Sequence, residues 1–231
     1  MKRILNIAHR GFTRQFPDNT LEAFEAAIQI PADGIECDVH ETFDNHFVIF
    51  HDREIEGRDI RQMQLDEVAG VRLEGKYCIP TLEQTLELCR GKILLNIEIK
   101  RVSSLDRFLE LVRAQLQPEE VVFSSFNRDI VIELARLAPE IQRGILSAFE
   151  IDDPVELAKS ASSEMVVARF PSVNTELARQ ARDADLMLFV WGCTDMTEVR
   201  SALSMDIYGV ITDFPDEVRG ELVRIYGSEN L

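Results

Sequence analysis

Eight short apolar segments, beginning near residues 4, 34, 93, 121, 142, 165, 187 and 209, alternate along the chain with segments whose apolar residues recur at helical spacing. That alternation restricts the fold. Parallel strands need a crossover of a dozen or more residues, and an amphipathic helix is the usual one. Eight strand–helix units predict a closed (β/α)8 TIM barrel, with an open doubly wound sheet as the alternative. A chain of 231 residues suits a single domain over 1–231. The first helix is predicted to begin after Asn19-Thr20, either of which can cap it, and to stop at Pro31.

One step breaks the pattern. Only Thr42–His46 separates the second strand, Gly34–Val39, from the apolar run Phe47–His51, too short a link for a parallel crossover. An added β-hairpin is therefore expected. A two-residue turn at Asp44-Asn45 would pair residues whose numbers sum to about 89, placing Asp38 opposite His51. Residues 53–77 are polar and charged, with one weak helix at Leu65–Ala69, and read as a short insertion over the mouth of the barrel.

In such a barrel the C-terminal strand ends converge at one mouth, where the chemistry resides. This gathers His9, Arg10, Glu36, Asp38, Glu98, Lys100, Ser125, Phe126, Arg169, Trp191 and Asp213, with His51 joining through the hairpin. Glu36 and Asp38 are two apart on one strand, as are Glu98 and Lys100 on another, so each pair shares a face. Adjacent carboxylates repel unless a cation or a proton lies between them. Hard oxygen ligands suit Mg²⁺ or Ca²⁺, Arg and Lys suit a phosphate, and two histidines suit a general acid and a general base.

The net charge of −16 argues against nucleic acid or an anionic membrane as partner, and an anionic substrate would need local cations to reverse the field. No apolar run is long enough for stable membrane insertion. The apolar start of the chain stops at His9-Arg10, so it reads as a first strand rather than a signal peptide, and the protein is expected to be cytoplasmic. Cys37, Cys78, Cys89 and Cys193 are scattered without a Cys-x-x-Cys, which predicts free thiols.

These residues fall in a series that resembles the glycerophosphodiester phosphodiesterase family: His9-Arg10-Gly11, Asp18-Asn19-Thr20, Ile35-Glu36-Cys37-Asp38-Val39, His51-Asp52, Ile79-Pro80-Thr81-Leu82, Asn96-Ile97-Glu98-Ile99-Lys100, Ser125-Phe126, Val190-Trp191 and Ile211-Thr212-Asp213-Phe214-Pro215. The resemblance spans nearly the whole chain. It implies a barrel that hydrolyses a glycerophosphodiester to sn-glycerol 3-phosphate and an alcohol with a divalent cation, Mg²⁺ or Ca²⁺. By position it makes Glu36, Asp38 and Glu98 the metal ligands and His9 and His51 the acid–base pair. Arg10 and Lys100 become the phosphate contacts, and Trp191 a wall of the substrate pocket; Phe126, at the same mouth, reads equally as a substrate contact or as core. Attack by the substrate's own glycerol hydroxyl would pass through a cyclic phosphate; attack by water would not. The chain departs from the family at Asp18, where Glu is usual. It departs again at Arg53-Glu54-Ile55-Glu56-Gly57, where specificity is expected to be set, and at Thr194, where an amide side chain is usual.

Other mouth residues have plainer readings. His40 reads as structural, His46 as exposed in the hairpin turn, and Asp213 as bonding the final turn before Pro215. Ser125 lacks a dedicated base and is not expected to be a nucleophile. Asp152-Asp153 and Asp216-Glu217 read as solvated helix starts. A lysophospholipase D would use the same residues but need an apolar groove. A non-enzymatic binding barrel would lack a ligand or a histidine, and a phosphate-binding isomerase barrel would carry a Gly-rich loop after strand seven or eight. The residues leave the oligomeric state open, a homodimer included.

Overall fold

The computed structural model describes residues 3–30, 32–148 and 153–227; the expectations for Pro31 and Asp152 lie outside them. In chain order the elements are β1 (Leu5–His9), α1 (Leu21–Gln29), β2 (Gly34–Glu41), β3 (Phe47–Ile49), β4 (Glu54–Ile55), β5 (Arg58–Asp59), α2 (Leu65–Gly70), α3 (Leu82–Cys89), β6 (Leu94–Arg101) and α4 (Leu105–Arg113). There follow β7 (Val121–Ser125), α5 (Arg128–Leu137), β8 (Arg143–Ser147), α6 (Pro154–Ser160), β9 (Met165–Arg169), α7 (Thr175–Asp183), β10 (Met187–Trp191), α8 (Met196–Leu203), β11 (Gly209–Thr212) and α9 (Pro215–Tyr226).

The parallel strands run β1-β2-β6-β7-β8-β9-β10-β11, and β1 pairs with both β2 and β11. That double pairing closes the sheet into an eight-stranded barrel and excludes the open sheet. Side chains alternate across it. Ile7, Val122, Leu146, Met165, Val167, Phe189 and Ile211 fill the interior. The other face packs against the helices: Phe108 on α4 is fully buried, with ring centroids 5.8 Å from Phe47 and 5.3 Å from Phe123. Truncating such a ring to alanine costs about 3–5 kcal/mol.

Each helix start has a local cause. The side chains of Thr20, Thr81, Ser104, Asn127, Asp153, Asn174 and Asp195 accept hydrogen bonds from first-turn amides of the helices they precede. The acidic start of α9 is more than solvated, since Arg14 Nη1 lies 3.2 Å from Asp216 Oδ1 and 2.6 Å from Glu217 Oε1. No helix among the described residues is long and apolar enough to cross a membrane.

The hairpin forms one residue out of the expected register. Val39 pairs with Ile49 and Glu41 with Phe47, so the numbers sum to 88 and Asp38 lies opposite Phe50, not His51. The loop has three residues, 43–45, closed by a Thr42 N–H to His46 O bond of 2.8 Å, with Asn45 in the left-handed region at φ 64°. The insertion builds a small core of its own, from Ile55, Ile60, Met63 and Val68 against Val48 of β3 and Ile79, and so docks on the hairpin.

Candidate active site

Barrel register brings the acidic residues together. β1 pairs His9 with Glu36, and β2 pairs Glu36 with Asn96 and Asp38 with Glu98, so all of them point inward at the C-terminal end. One ligand oxygen from each of Glu36, Asp38 and Glu98 lies within 4.8 Å of the others, and all three side chains are buried. Lys100 Nζ sits 2.9 Å from Asp38 Oδ1 and 2.5 Å from Glu98 Oε1, and Arg10 Nε is 3.1 Å from Asp38 Oδ2.

Burial, and then repulsion from Asp38 and Glu98, push the Glu36 carboxyl well above its usual range; burial likewise raises Glu98. Burial acts on Asp38 too, but Lys100, Arg10 and the Asn19 amide outweigh it and hold this carboxyl below its usual range. Three carboxylates face two cations, and Glu36 Oε1 is buried with no hydrogen-bond partner among the described residues. A group of hard oxygens with one negative charge in excess and an unpartnered ligand atom fits a divalent cation.

The turn after β1 is built around this group. Arg10 has φ 55°, a region that costs a non-glycine residue energy, and in that conformation its N–H donates to Glu36 Oε2 at 3.2 Å. Gly11 follows at φ +89°, where a Cβ would lie 2.7 Å from the Ala23 carbonyl carbon, so glycine lets α1 approach. Asn19, fully buried at φ 57°, takes the Arg10 carbonyl on its N–H. Its side chain donates to Asp38 Oδ2 at 2.7 Å and accepts the Asp38 N–H at 3.2 Å. Thr20 alone caps α1; Asn19 instead clasps Asp38.

Both mouth histidines are held through Nδ1. His9 Nδ1 lies 2.7 Å from Asp213 Oδ1, and His51 Nδ1 lies 2.8 Å from Asp52 Oδ1. A carboxylate only accepts, so Nδ1 carries the proton in each and Nε2 is left for the cleft. His9 Nε2 is 3.9 Å from Glu36 Oε2. The His9 bond keeps the Asp213 carboxyl below its usual range against the opposing effect of burial. His9, Arg10, Glu36, His51, Glu98, Lys100, Phe126 and Trp191 line one cleft, floored by Asn96, Ser124, Leu146 and Ile211. The aromatic rings of Phe126 and Trp191 meet edge to face at 5.8 Å, and the Trp191 Nε1–H donates to the Ser147 carbonyl.

Several expectations change. Asp213 orients His9 rather than only bonding the last turn. Barrel closure carried that signal, because β1 and β11 become neighbours and Ala8 pairs with Thr212. Ser124, not Ser125, faces the cleft; Ser125 Oγ donates to the Ile99 carbonyl. Arg169 stacks over Trp191 at 5.6 Å. Thr194 gives both its N–H and its hydroxyl to Glu198 at the start of α8. His40 is buried, with Nε2 3.3 Å from the His51 carbonyl oxygen. No residue of 53–77 is among the described residues lining the cleft. A second, mostly apolar cavity of about 410 Å³, whose lining includes Leu5, Leu94, Val121 and Met187 and the carboxylates Glu119 and Glu140, opens at the other end of the barrel, away from His9, Glu36 and His51.

A phosphodiesterase from Oleispira antarctica, solved with its product sn-glycerol-3-phosphate, superposes with a TM-score of 0.87 over 94% of this chain and 96% of its own; at 22% identity this likeness is one of fold. A glycerophosphodiester phosphodiesterase structure from Parabacteroides distasonis is 26% identical with a TM-score of 0.85, covering 97% of this chain and 99% of that one. A glycerophosphodiester phosphodiesterase of Caldanaerobacter subterraneus is 28% identical over 232 aligned positions, 93% of this chain and 96% of that one. The family model for glycerophosphoryl diester phosphodiesterases matches residues 9–217, from His9 of the first barrel strand to the start of the last helix, and the chain belongs to that family.

Proposed function

We propose that the protein hydrolyses glycerophosphodiesters to sn-glycerol 3-phosphate and an alcohol in a divalent-cation-dependent reaction, with His9 and His51 as the acid–base pair. One observation carries the reading. Two histidines, each with Nδ1 fixed by an aspartate, share a cleft with Glu36 and Glu98, two members of a buried group of three carboxylates completed by Asp38. Glu36, Asp38 and Glu98 would hold Mg²⁺ or Ca²⁺, which when bound polarises a phosphoryl oxygen.

The chain's own groups do the remainder. Arg10 and Lys100 are anchored through Asp38, and their other N–H groups would receive the phosphate. One histidine, neutral and bare at Nε2, would take the proton from the attacking oxygen, and the other, entering the cycle as the imidazolium with a second proton on Nε2, would give that proton to the leaving alkoxide. Asn19 and the Arg10 N–H hold the carboxylates against rotation, which keeps the phosphate site in one place. Phe126 and Trp191 would wall the pocket that receives the organic part of the substrate. The same reading takes residues 1–231 as one catalytic domain acting in the cytoplasm.

The test is release of glycerol 3-phosphate from glycerophosphocholine by the purified protein, with EDTA, then with Mg²⁺ or Ca²⁺ restored, beside His9→Ala. Cation-dependent release that His9→Ala abolishes is expected. Activity that survives exhaustive chelation would overturn the cation requirement. Inertness toward glycerophosphocholine, with release of choline from lysophosphatidylcholine, would move the substrate class to lysophospholipids.

A further inference from the structure

We propose that Asp59, in the insertion, is a positioning residue that holds the His51 loop in register with the strand end bearing Lys100. The proposal rests on the reading of His51 as catalytic. The insertion contributes nothing to the cleft wall among the described residues, yet it reaches both sides of the cleft through this one buried carboxylate. Asp59 Oδ2 accepts from Arg53 Nε at 2.8 Å, and both of its oxygens accept from Arg101 Nη1, at 3.1 and 2.9 Å. Arg53 stands two residues after His51, and Arg101 directly follows Lys100. The Ile60 N–H adds a backbone bond to the Arg53 carbonyl at 3.1 Å.

Other restraints on His51 are weaker. Its side chain is 39% exposed, and its partner Asp52 is 71% exposed. The bond from His40 to its carbonyl spans 3.3 Å, just beyond the normal range. Burial alone would raise the Asp59 carboxyl, but the Arg101 and Arg53 bonds and the Arg61 N–H keep it far below its usual range, as two charge-assisted partners should. The clip therefore ties loop to strand end with charged bonds on both sides.

A plainer role is available to the same side chain, since Asp59 also caps the short turn Ile60–Gln62 by accepting the Arg61 N–H at 3.0 Å. Asp59→Asn separates the two roles. Asparagine caps as well as aspartate but loses the charge that grips two guanidinium groups.

The experiment is a double-mutant cycle on glycerophosphocholine hydrolysis, comparing wild type, Asp59→Asn, His51→Gln and the pair, at saturating divalent cation and well below each melting transition. Asp59→Asn is expected to lower kcat about ten- to a hundredfold, as displacement of a reacting group does, with KM changed less than about twofold. In the His51→Gln background the same change should lower kcat less than about twofold, because the group it positions is already gone. Arg58→Gln, which breaks the insertion's own ion pair with Glu67, should leave kcat unaltered. An unchanged kcat in Asp59→Asn, or an equal loss in both backgrounds, overturns the proposal. A His51→Gln enzyme with wild-type kcat overturns the catalytic reading of His51 and the proposal with it. Should Asp59→Asn fail to fold, Arg53→Gln and Arg101→Gln each remove one arm of the clip, and absence of coupling to His51 in both overturns the proposal.

Discussion

Replacing Asp213 with asparagine tests whether the His9 dyad governs turnover. The 2.7 Å bond between His9 Nδ1 and Asp213 Oδ1 fixes which nitrogen bears the proton and would stabilise the imidazolium state that the proposed acid–base role of His9 requires. A hydrogen bond to a charged partner contributes about 1.5–3 kcal/mol, and each 1.36 kcal/mol on a barrier is tenfold in rate. The Asp213 side chain is 50% exposed, so water screens it and the lower end of that range applies. A fall in kcat of about tenfold is expected for Asp213→Asn. KM should stay near wild type, since Asp213 is not among the described residues lining the cleft. Asp52, at 71% exposure, should matter less to His51, with a fall of about two- to threefold for Asp52→Asn. Initial rates of glycerol 3-phosphate release, coupled to its oxidation, measure both. An Asp213→Asn enzyme with unaltered kcat, or with its whole defect in KM, would refute the reasoning.

Two further predictions concern the scaffold. Cys37, Cys89 and Cys193 are buried, and burial pushes the thiols of Cys89 and Cys193 up to about 12, whereas Cys78 is exposed. Native protein should therefore release one equivalent of thionitrobenzoate quickly from Ellman's reagent, and denatured protein four. The folded-state depression of the Asp59 carboxyl makes its contribution present above the ordinary carboxylate value near pH 4, and lost as pH falls below it. Asp59→Asn should therefore cost about 1.5–3 kcal/mol in urea unfolding at neutral pH, and the difference from wild type should shrink steadily below about pH 4.

The parts of this molecule legible in sequence are those set by short-range rules. Short apolar runs located all eight barrel strands, because each strand is buried on both faces, one in the barrel interior and one against helices. The two-residue spacing of Glu36 and Asp38, and of Glu98 and Lys100, put each pair on a shared face because successive side chains of a strand alternate. What was hidden depends on turns and on distant chain segments. The hairpin register slipped by one because Asn45 takes a left-handed conformation and lengthens the loop, leaving Phe43 67% exposed, a poor guide for any hydrophobic pattern. Asn19 reads as a helix cap because Asn and Thr are both favoured N-cap residues. Only the fold reveals that its amide spans to Asp38 while Thr20 takes the cap. The Asp59 link to Arg101 joins residues 42 apart through an insertion with little periodicity of its own.

The charge of the chain imposes an order on binding. A phosphodiester is an anion, the protein carries −16, and Glu36, Asp38 and Glu98 outnumber Arg10 and Lys100 by one. Arg10 and Lys100 are moreover engaged by Asp38 and Glu98, so much of their charge is already spoken for. A divalent cation in the carboxylate group would turn the excess of one negative charge into one positive charge and loosen the hold of the acids on Arg10 and Lys100. Substrate affinity should therefore depend on the cation, not turnover alone. Titrating Mg²⁺ or Ca²⁺ should lower the apparent KM for glycerophosphocholine as the site fills. Glu36→Gln removes one acid charge and one ligand; it should weaken the cation requirement for binding while still impairing turnover. A KM independent of cation concentration, with kcat alone responding, would place the cation's role wholly in the chemical step and remove the electrostatic argument for ordered binding.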